Sequence, residues 1–161
     1  MISYAYDPKE EFVMTDHLRW MRIIVEGAKA AAVEREEPAA AIVVQNDQVI
    51  GLGRNSKNAE KCGLGHAVLN ALLDAKLNLG LRPKDVILYC TLEPCAMCLG
   101  AIVFSGVNTI VYGTDDPMLG AISMFKGHKV YGEWMPEIIG GVLKEECEAL
   151  RTLPTFKKNL R

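Results

Sequence analysis

The sequence predicts a single domain of the α/β class, in which helices cover both faces of a mixed five-stranded sheet. Three observations indicate this fold. The chain has 161 residues, half of them hydrophobic, which fits one domain with a sizeable core. Amphipathic stretches alternate with short apolar ones along the chain. No repeat or low-complexity linker separates them. The predicted order, α-β-β-α-β-α-β followed by a short mixed segment and a last helix, is typical of an α/β sandwich.

The first predicted element is a long amphipathic helix over residues 15–36, and Pro38 ends it. Residues 1–14 are predicted to be an N-terminal extension, with a cloning remnant and an arm as alternatives, and their acidity and lack of an apolar segment argue against a signal peptide. We therefore expect the domain to occupy residues 15–161. The apolar residues that recur at helical spacing in the first helix are Leu18, Met21, Ile24, Val25 and Ala28.

Two strands joined as a hairpin follow this helix. Residues 39–44 are continuously apolar, as in a buried strand, and residues 48–53 are predicted to return beside them. Asn46 and Asp47 lie between the two strands and suit a tight turn. A polar, glycine-containing loop is predicted over residues 54–65.

The second half of the chain alternates helices with buried strands. Pro83 follows one helix, and Pro94 opens the next, since proline is tolerated in a first helical turn. In chain order the predicted elements are a helix over 66–79, a strand over 86–90, a helix over 95–104, a strand over 109–112, a strand over 138–143 and a helix over 144–152.

Charge and composition argue against two classes of protein. The net charge of −2 argues against a nucleic-acid binder held by bulk positive charge. The apolar runs are too short to span a membrane.

The chain has five cysteines, an odd number, and no export signal. A reducing cytoplasm, with metal binding rather than a disulfide framework, is therefore expected.

Three residues have the types and spacing of a zinc site. Cys95 and Cys98 lie three apart in the first turn of a predicted helix, so both thiols face one side, and the helix N-terminus favours thiolates. His66 begins another helix. One imidazole and two thiolates suit zinc and leave a fourth position for water. A redox pair and a buried core histidine are the alternatives, but the proline before Cys95 and the H-A dipeptide favour the metal site.

These motifs resemble the signature of the zinc-dependent nucleobase and nucleoside deaminases, H-x-E followed by P-C-x-x-C. The resemblance is strongest to bacterial tRNA adenosine deaminases, and guanine and cytosine deaminases share the scaffold. It implies the cytidine-deaminase-like α/β/α sandwich, bound Zn²⁺, hydrolytic deamination and a homodimer. The matching segments are E-R-E-E-P-A-A-A-I-V-V (34–44), V-I-G-L-G-R-N (49–55), L-Y-C-T-L-E-P-C-A-M-C-L-G-A-I (88–102) and G-V-L-K-E-E-C-E-A-L (141–150).

The resemblance also implies two sets of site residues. The matched zinc ligands are His66, Cys95 and Cys98. The matched substrate contacts are Asn55, Ala39, Ala67 and Pro94. Three departures from the family pattern touch the expected pocket and fit either a changed ligand or relaxed constraint. They are the loop over 61–65, Ala40 in place of a glycine, and Arg54 in place of an aromatic residue.

The largest departure is Val68, which occupies the position of the family's proton-shuttling glutamate. Four explanations stay open. The chain is a non-catalytic paralogue that binds nucleoside or RNA or supports an active subunit, as in eukaryotic tRNA adenosine deaminases. Alternatively, the valine was introduced, another acid moves the proton, or Cys62 closes a structural Cys₃His site. The candidate acids are Glu60, Glu93, Asp115 and Asp116.

The C-terminal segment over residues 151–161 bears on the kind of ligand. It carries four basic residues, no acidic ones and Phe156. In tRNA deaminases the C-terminal region helps to hold RNA through phosphate charge and stacking. The same composition also fits a solvated chain end. The expected ligand is a nucleobase, a nucleoside or a tRNA anticodon loop.

Overall fold

The computed structural model describes residues 8–81 and 83–156. Every predicted helix and strand is present, and residues 115–136 hold a short helix and a 3-10 helix. Among the described helices, none combines the length and the apolar character of a membrane span. In chain order the elements are α1 (Pro8–Val33), β1 (Ala40–Gln45), β2 (Gln48–Arg54), α2 (Ala67–Leu79), β3 (Val86–Leu92), α3 (Ala96–Ser105), β4 (Thr109–Thr114), α4 (Ile122–Gly127), the 3-10 helix (Tyr131–Trp134), β5 (Glu137–Gly140) and α5 (Lys144–Leu150).

The five strands form one mixed sheet, as predicted, and their order is β2-β1-β3-β4-β5. Strand β1 is antiparallel to both β2 and β3, whereas β3, β4 and β5 are parallel. The start of β1 therefore lies at the same sheet edge as the ends of β2, β3 and β4. The loops that follow those three strands meet at this edge, which we call the site edge.

The side chains of β1 show why helices cover both faces of the sheet. Ala41 and Val43 pack into a core cluster with α2 and α3. Ala40, Ile42 and Val44 pack into a second cluster with α1 and α5. Because successive side chains of a strand point to opposite faces, a strand that is apolar throughout needs cover on both sides. The predicted α/β/α sandwich is confirmed.

The β1–β2 hairpin has the turn that its sequence predicts. Asn46 and Asp47 adopt positive φ angles of 51° and 57°, and Gln45 pairs directly with Gln48. Two central residues in the left-handed region define the turn that matches the twist of paired strands, and Asn and Asp tolerate that conformation.

Helix α1 begins at Pro8, upstream of the predicted start at residue 15. The prediction was late because the apolar spacing that marks the helix begins only at Leu18. Proline suits a first helical turn, and Glu10 and Glu11 are residue types favoured near a helix N-terminus. The helix thus extends into the segment assigned as an extension, and the boundary at residue 15 stays a prediction.

Helix α1 is joined to the sheet by a buried polar pair. Nδ1 of His17 lies 2.9 Å from the hydroxyl of Tyr89 on β3, and both residues are almost fully buried. Burial lowers the pKa of His17 below its usual 6.5, although Asp16 and Glu137 oppose this shift. The histidine is therefore neutral at pH 7 and serves as a hydrogen-bonding core residue.

Candidate metal centre and ligand cavity

The three predicted metal ligands come together at the site edge. His66 is the N-cap of α2, Cys95 is the N-cap of α3, and Cys98 lies in the first turn of α3. Nδ1 of His66 is 3.7 Å from Sγ of Cys95 and 3.5 Å from Sγ of Cys98. The three donor atoms all lie within 4.8 Å of one another. Such a cluster could hold one metal ion.

Close packing between α2 and β2 fixes the position of His66. A Cβ on Gly53 would overlap the carbonyl of Ala67 and the backbone of Ala71, and one on Gly51 would come within 2.9 Å of the amide nitrogen of Ala75. The facing helix residues are alanines, so the backbones of helix and strand approach closely. Glycine is needed here because of that approach rather than because of a turn.

The two thiols of the cluster share one proton. A hydrogen bond from the Cys98 thiol, together with His66, lowers the pKa of Cys95 from 9.0 to about 4. The same bond, with burial, raises the pKa of Cys98. At neutral pH one sulfur is therefore a thiolate. A metal ion would displace the remaining proton, because sulfur ligates as the thiolate.

A cavity of about 320 Å³ borders the cluster. Its volume lies at the lower end of the usual range for small-molecule sites. Strand β3, the loop after β4 and the C-terminal segment contribute to its wall. Apart from the three cluster residues, the wall consists of Glu37, Ala39, Ala40, Asn55, Lys57, Ala67, Val68, Cys90, Thr91, Leu92, Asp116, Met118, Leu119, Arg151 and Phe156.

Three of the four predicted substrate contacts line this cavity. They are Asn55, Ala39 and Ala67. Asn55 is almost fully buried, and its Oδ1 accepts a hydrogen bond from the backbone N–H of Lys57 at 3.1 Å. Pro94 is not among the described residues that line the cavity. Its carbonyl accepts a hydrogen bond from Ala121, so it anchors the segment before α4.

Val68 lies on the cavity wall next to Ala67, two residues after His66. Only 6% of its surface is exposed, and it packs in the core cluster of α2 and α3. The side chain is aliphatic and has no titratable group. This position therefore cannot accept or donate a proton.

Two of the four acids considered as substitute proton carriers have partners of their own and do not line the cavity. Oε2 of Glu93 accepts the backbone N–H of Asp116 and Oε1 accepts that of Ile122, both at 3.1 Å. Glu93 thus holds the loop between β4 and α4. Asp115 accepts the hydroxyl of Tyr112 at 2.8 Å. Neither acid is among the described cavity residues.

Of the other two acids, Asp116 lines the cavity, whereas Glu60 is absent from the described wall. Oδ1 of Asp116 accepts backbone N–H groups of Met118 at 3.0 Å and Leu119 at 3.3 Å. These bonds form a local turn that holds the carboxylate in place. Asp116 is therefore the one candidate acid of the four that borders the ligand space.

Cys62 lies outside the metal cluster. The only cluster of possible metal ligands found in the described residues contains His66, Cys95 and Cys98. Cys62 is partly exposed and belongs to the turn before α2, where its backbone N–H donates to Lys57 and its carbonyl accepts from Gly65. The four-ligand Cys₃His arrangement is not assembled in this structure.

The C-terminal segment reaches the cavity as far as it is described. Arg151 and Phe156 both line the wall, and the Arg151 guanidinium lies 5.4 Å from the centre of the Phe156 ring. The same guanidinium donates to the carbonyl of Asp115 at 3.1 Å. The other basic residues of this segment, which were considered as RNA contacts, lie within 157–161 and outside the described residues.

Sequence reasoning missed two charged residues of the cavity wall. Glu37 and Lys57 form an ion pair there. Glu36 is buried, and its carboxylate accepts the backbone N–H groups of Asn58 and Ala59 at 3.0 and 2.7 Å. The signal available in the sequence was the run of acids immediately before the first strand.

Comparison with known proteins identifies the family. A family model described as MafB19-like deaminase matches residues 15–146. The tRNA-specific adenosine deaminase of Bacillus subtilis (strain 168) is 33% identical over 151 residues, which cover 92% of each chain. The enzyme of the same name from Haemophilus influenzae is 34% identical, over 89% of this chain and 84% of its own.

Solved structures agree with the sequence comparison. A tRNA:A34 deaminase, studied for A-to-I editing at the wobble position, superposes with a TM-score of 0.76 at 28% identity, over 82% of this chain and 98% of its own. The guanine deaminase from Nitrosomonas europaea shares the fold with a TM-score of 0.71 at 22% identity, over 94% of both chains.

The chain is thus a deaminase-fold protein and belongs to the MafB19-like deaminase family. More particularly, it is homologous to the tRNA-specific adenosine deaminases.

Proposed function

We propose that this chain is a zinc-binding, hydrolytic-deaminase-type domain that takes a nucleobase or nucleoside into its cavity and turns it over poorly. The observation that carries this proposal is the arrangement of His66, Cys95 and Cys98 beside a cavity whose wall has Val68 at the place of a proton carrier. One nitrogen and two sulfur donors fit the ligand set of a catalytic zinc site.

The residues of the chain account for binding better than for turnover. Zinc held by the three ligands would supply a Lewis acid that lowers the pKa of water towards ~7. Asn55, fixed by its bond to the loop, offers a hydrogen-bonding group to the ligand. Leu92 and Met118 give the wall an apolar part that favours a planar base. Val68 cannot move the protons that hydrolysis requires, so turnover is impaired.

A non-catalytic role is the second candidate, and one observation favours it. Val68 packs in the core cluster of α2 and α3 as well as lining the cavity, so the position of the proton carrier is part of the hydrophobic core. A chain that retains zinc and cavity could bind a nucleoside or an RNA loop, or support an active deaminase subunit. Arg151 and Phe156 at the cavity would suit RNA, because they offer a positive charge and a stacking surface.

The proposed assembly is a homodimer in a reducing compartment such as the cytoplasm. Leu73, Leu81 and Phe104 are exposed and line one apolar groove beside α2 and α3. Trp134 is also exposed and contacts Phe104 edge-on. An apolar face of this kind favours contact with a second copy. All five cysteines are unpaired, as a thiolate metal site requires.

Zinc content tests the proposed metal centre. We expect the purified chain to hold one zinc ion, and Cys98→Ser to hold less than about a tenth of that, because a structural thiolate is lost. The measurement is elemental analysis of protein prepared with reduced thiols. Cys62→Ser is the matched control and should retain its zinc. A zinc-free wild-type chain, or equal losses in both variants, would refute the proposed ligand set.

A further inference from the structure

An ion pair between Glu37 and Lys57 forms part of the cavity wall. Nζ of Lys57 lies 2.6 Å from Oε2 of Glu37. The two side chains are only 24% and 16% exposed, respectively, so solvent screens the pair less than an ordinary surface pair. Both residues border the same cavity as Asn55 and the metal cluster. Two charged groups are thus available to a ligand.

A neighbouring ion pair has the same connectivity but lies away from the cavity. Glu34 also follows α1, and its carboxylate lies 3.0 Å from the guanidinium of Arg54, at the end of β2. Neither residue is among the described residues of the cavity wall. This pair is more exposed, at 57% for the glutamate and 39% for the arginine.

The attachment of the loop after β2 does not depend on Glu37 alone. The buried carboxylate of Glu36 holds the backbone of Asn58 and Ala59, and the Glu34–Arg54 pair lies beside it. Glu37 and Lys57 differ from these contacts because they face the ligand space. A role in ligand selection explains why this one pair lies on the cavity wall. Attachment of the loop alone would not require that position.

The chemistry of the pair defines the ligand edge that it fits. A carboxylate only accepts hydrogen bonds, and an ammonium group only donates them. A carboxylate has two oxygens and an ammonium has three N–H groups, so each retains capacity beyond the bond that joins them. An acceptor next to a donor is complementary to a lactam, in which a ring N–H adjoins a C=O.

We propose that the Glu37–Lys57 pair selects the base by binding a lactam edge, so that the cavity prefers an amino-oxopurine such as guanine to a purine without that edge. The inference rests on the proposed function, because a hydrolytic deaminase removes an amino group of the base and must hold that group towards the metal centre. A 2-amino-6-oxopurine bound in this way still offers its N1–H and its C6 carbonyl. In adenine the ring nitrogens that flank the amino group, N1 and N7, are acceptors, and an acceptor cannot bond to the carboxylate.

Two purines that differ at this edge provide the test. Guanine and 2,6-diaminopurine share the 2-amino group, but the latter has an acceptor nitrogen and an amino group where guanine has the lactam. Equilibrium binding of both is measured on the zinc-loaded wild-type chain, on Glu37→Gln and on the control Glu34→Gln. Loss of a charge-assisted hydrogen bond typically weakens binding about tenfold.

We expect the wild-type chain and Glu34→Gln to bind guanine about tenfold more tightly than 2,6-diaminopurine, and Glu37→Gln to show a ratio near one. Lys57→Met should reduce the ratio as well, since it removes the donor to the carbonyl. A wild-type affinity ratio near one, or the same change of this ratio in Glu34→Gln as in Glu37→Gln, would overturn this inference and leave the proposed function standing. If neither purine binds zinc-loaded protein, the proposed function fails with it.

Discussion

Replacing Val68 by glutamate is expected to raise the rate of ammonia release by about 10²- to 10⁴-fold, the usual contribution of a positioned general acid–base. The residue already lies on the cavity wall, in the first turn of the helix whose N-cap is the candidate metal ligand His66. A carboxylate there would supply the missing proton carrier. Ammonia release is measured on guanine, cytosine, adenosine and a tRNA anticodon stem-loop.

Val68→Gln is the control, because glutamine has the size and hydrogen-bonding capacity of glutamate but no titratable group that could act as a general acid or base. It should remain as slow as the wild-type chain. If the wild-type chain and Val68→Glu release ammonia at the same rate, another group moves the proton, and Asp116 and Glu37 are the cavity acids to examine. If no variant turns over any substrate while purines still bind, the non-catalytic function is the better description.

Replacing Gly53 by alanine is expected to lower the free energy of unfolding by about 3 kcal/mol, since overpacking between backbones cannot relax by a side-chain rotation. A Cβ at this position overlaps backbone atoms of Ala67 and Ala71. Helix α2 must then move away from β2 and carry His66 with it. Zinc affinity should fall together with stability, and urea unfolding and a chelator competition measure the two effects.

Gly63→Ala is the matched control for this substitution. Gly63 lies in the loop before α2, and a Cβ there would meet no atom within 4 Å. We expect its stability and zinc affinity to stay close to those of the wild-type chain. If Gly53→Ala unfolds at the same urea concentration as Gly63→Ala, the close approach of α2 to β2 does not position the metal centre.

The parts of the structure that depend on local sequence could be predicted. The Asn46-Asp47 turn is specified by residue types that tolerate positive φ. The side on which Cys95 and Cys98 meet follows from their separation in one helical turn. The α/β/α layering follows from strands such as β1 that are apolar on both faces.

The parts that depend on distant residues could not be predicted. Glu37 and Lys57 are separated by the whole β1–β2 hairpin, and their pairing appears only when that hairpin forms. Glu93 looked like a possible proton carrier because it adjoins the P-C-x-x-C motif. Its carboxylate is instead bonded to two backbone N–H groups of a later loop. No local sequence pattern distinguishes a glutamate that pairs with a lysine from one whose carboxylate binds the backbone of a distant loop.

Zinc X-ray absorption of the wild-type chain tests the central claim most directly, namely that the metal centre has three protein ligands and an open position. We predict two sulfur scatterers at about 2.3 Å and lighter atoms at about 2.0–2.1 Å. Three sulfur scatterers would contradict this result. They would mean that Cys62 joins the cluster and closes it as a structural site, which removes the position that a deaminase needs.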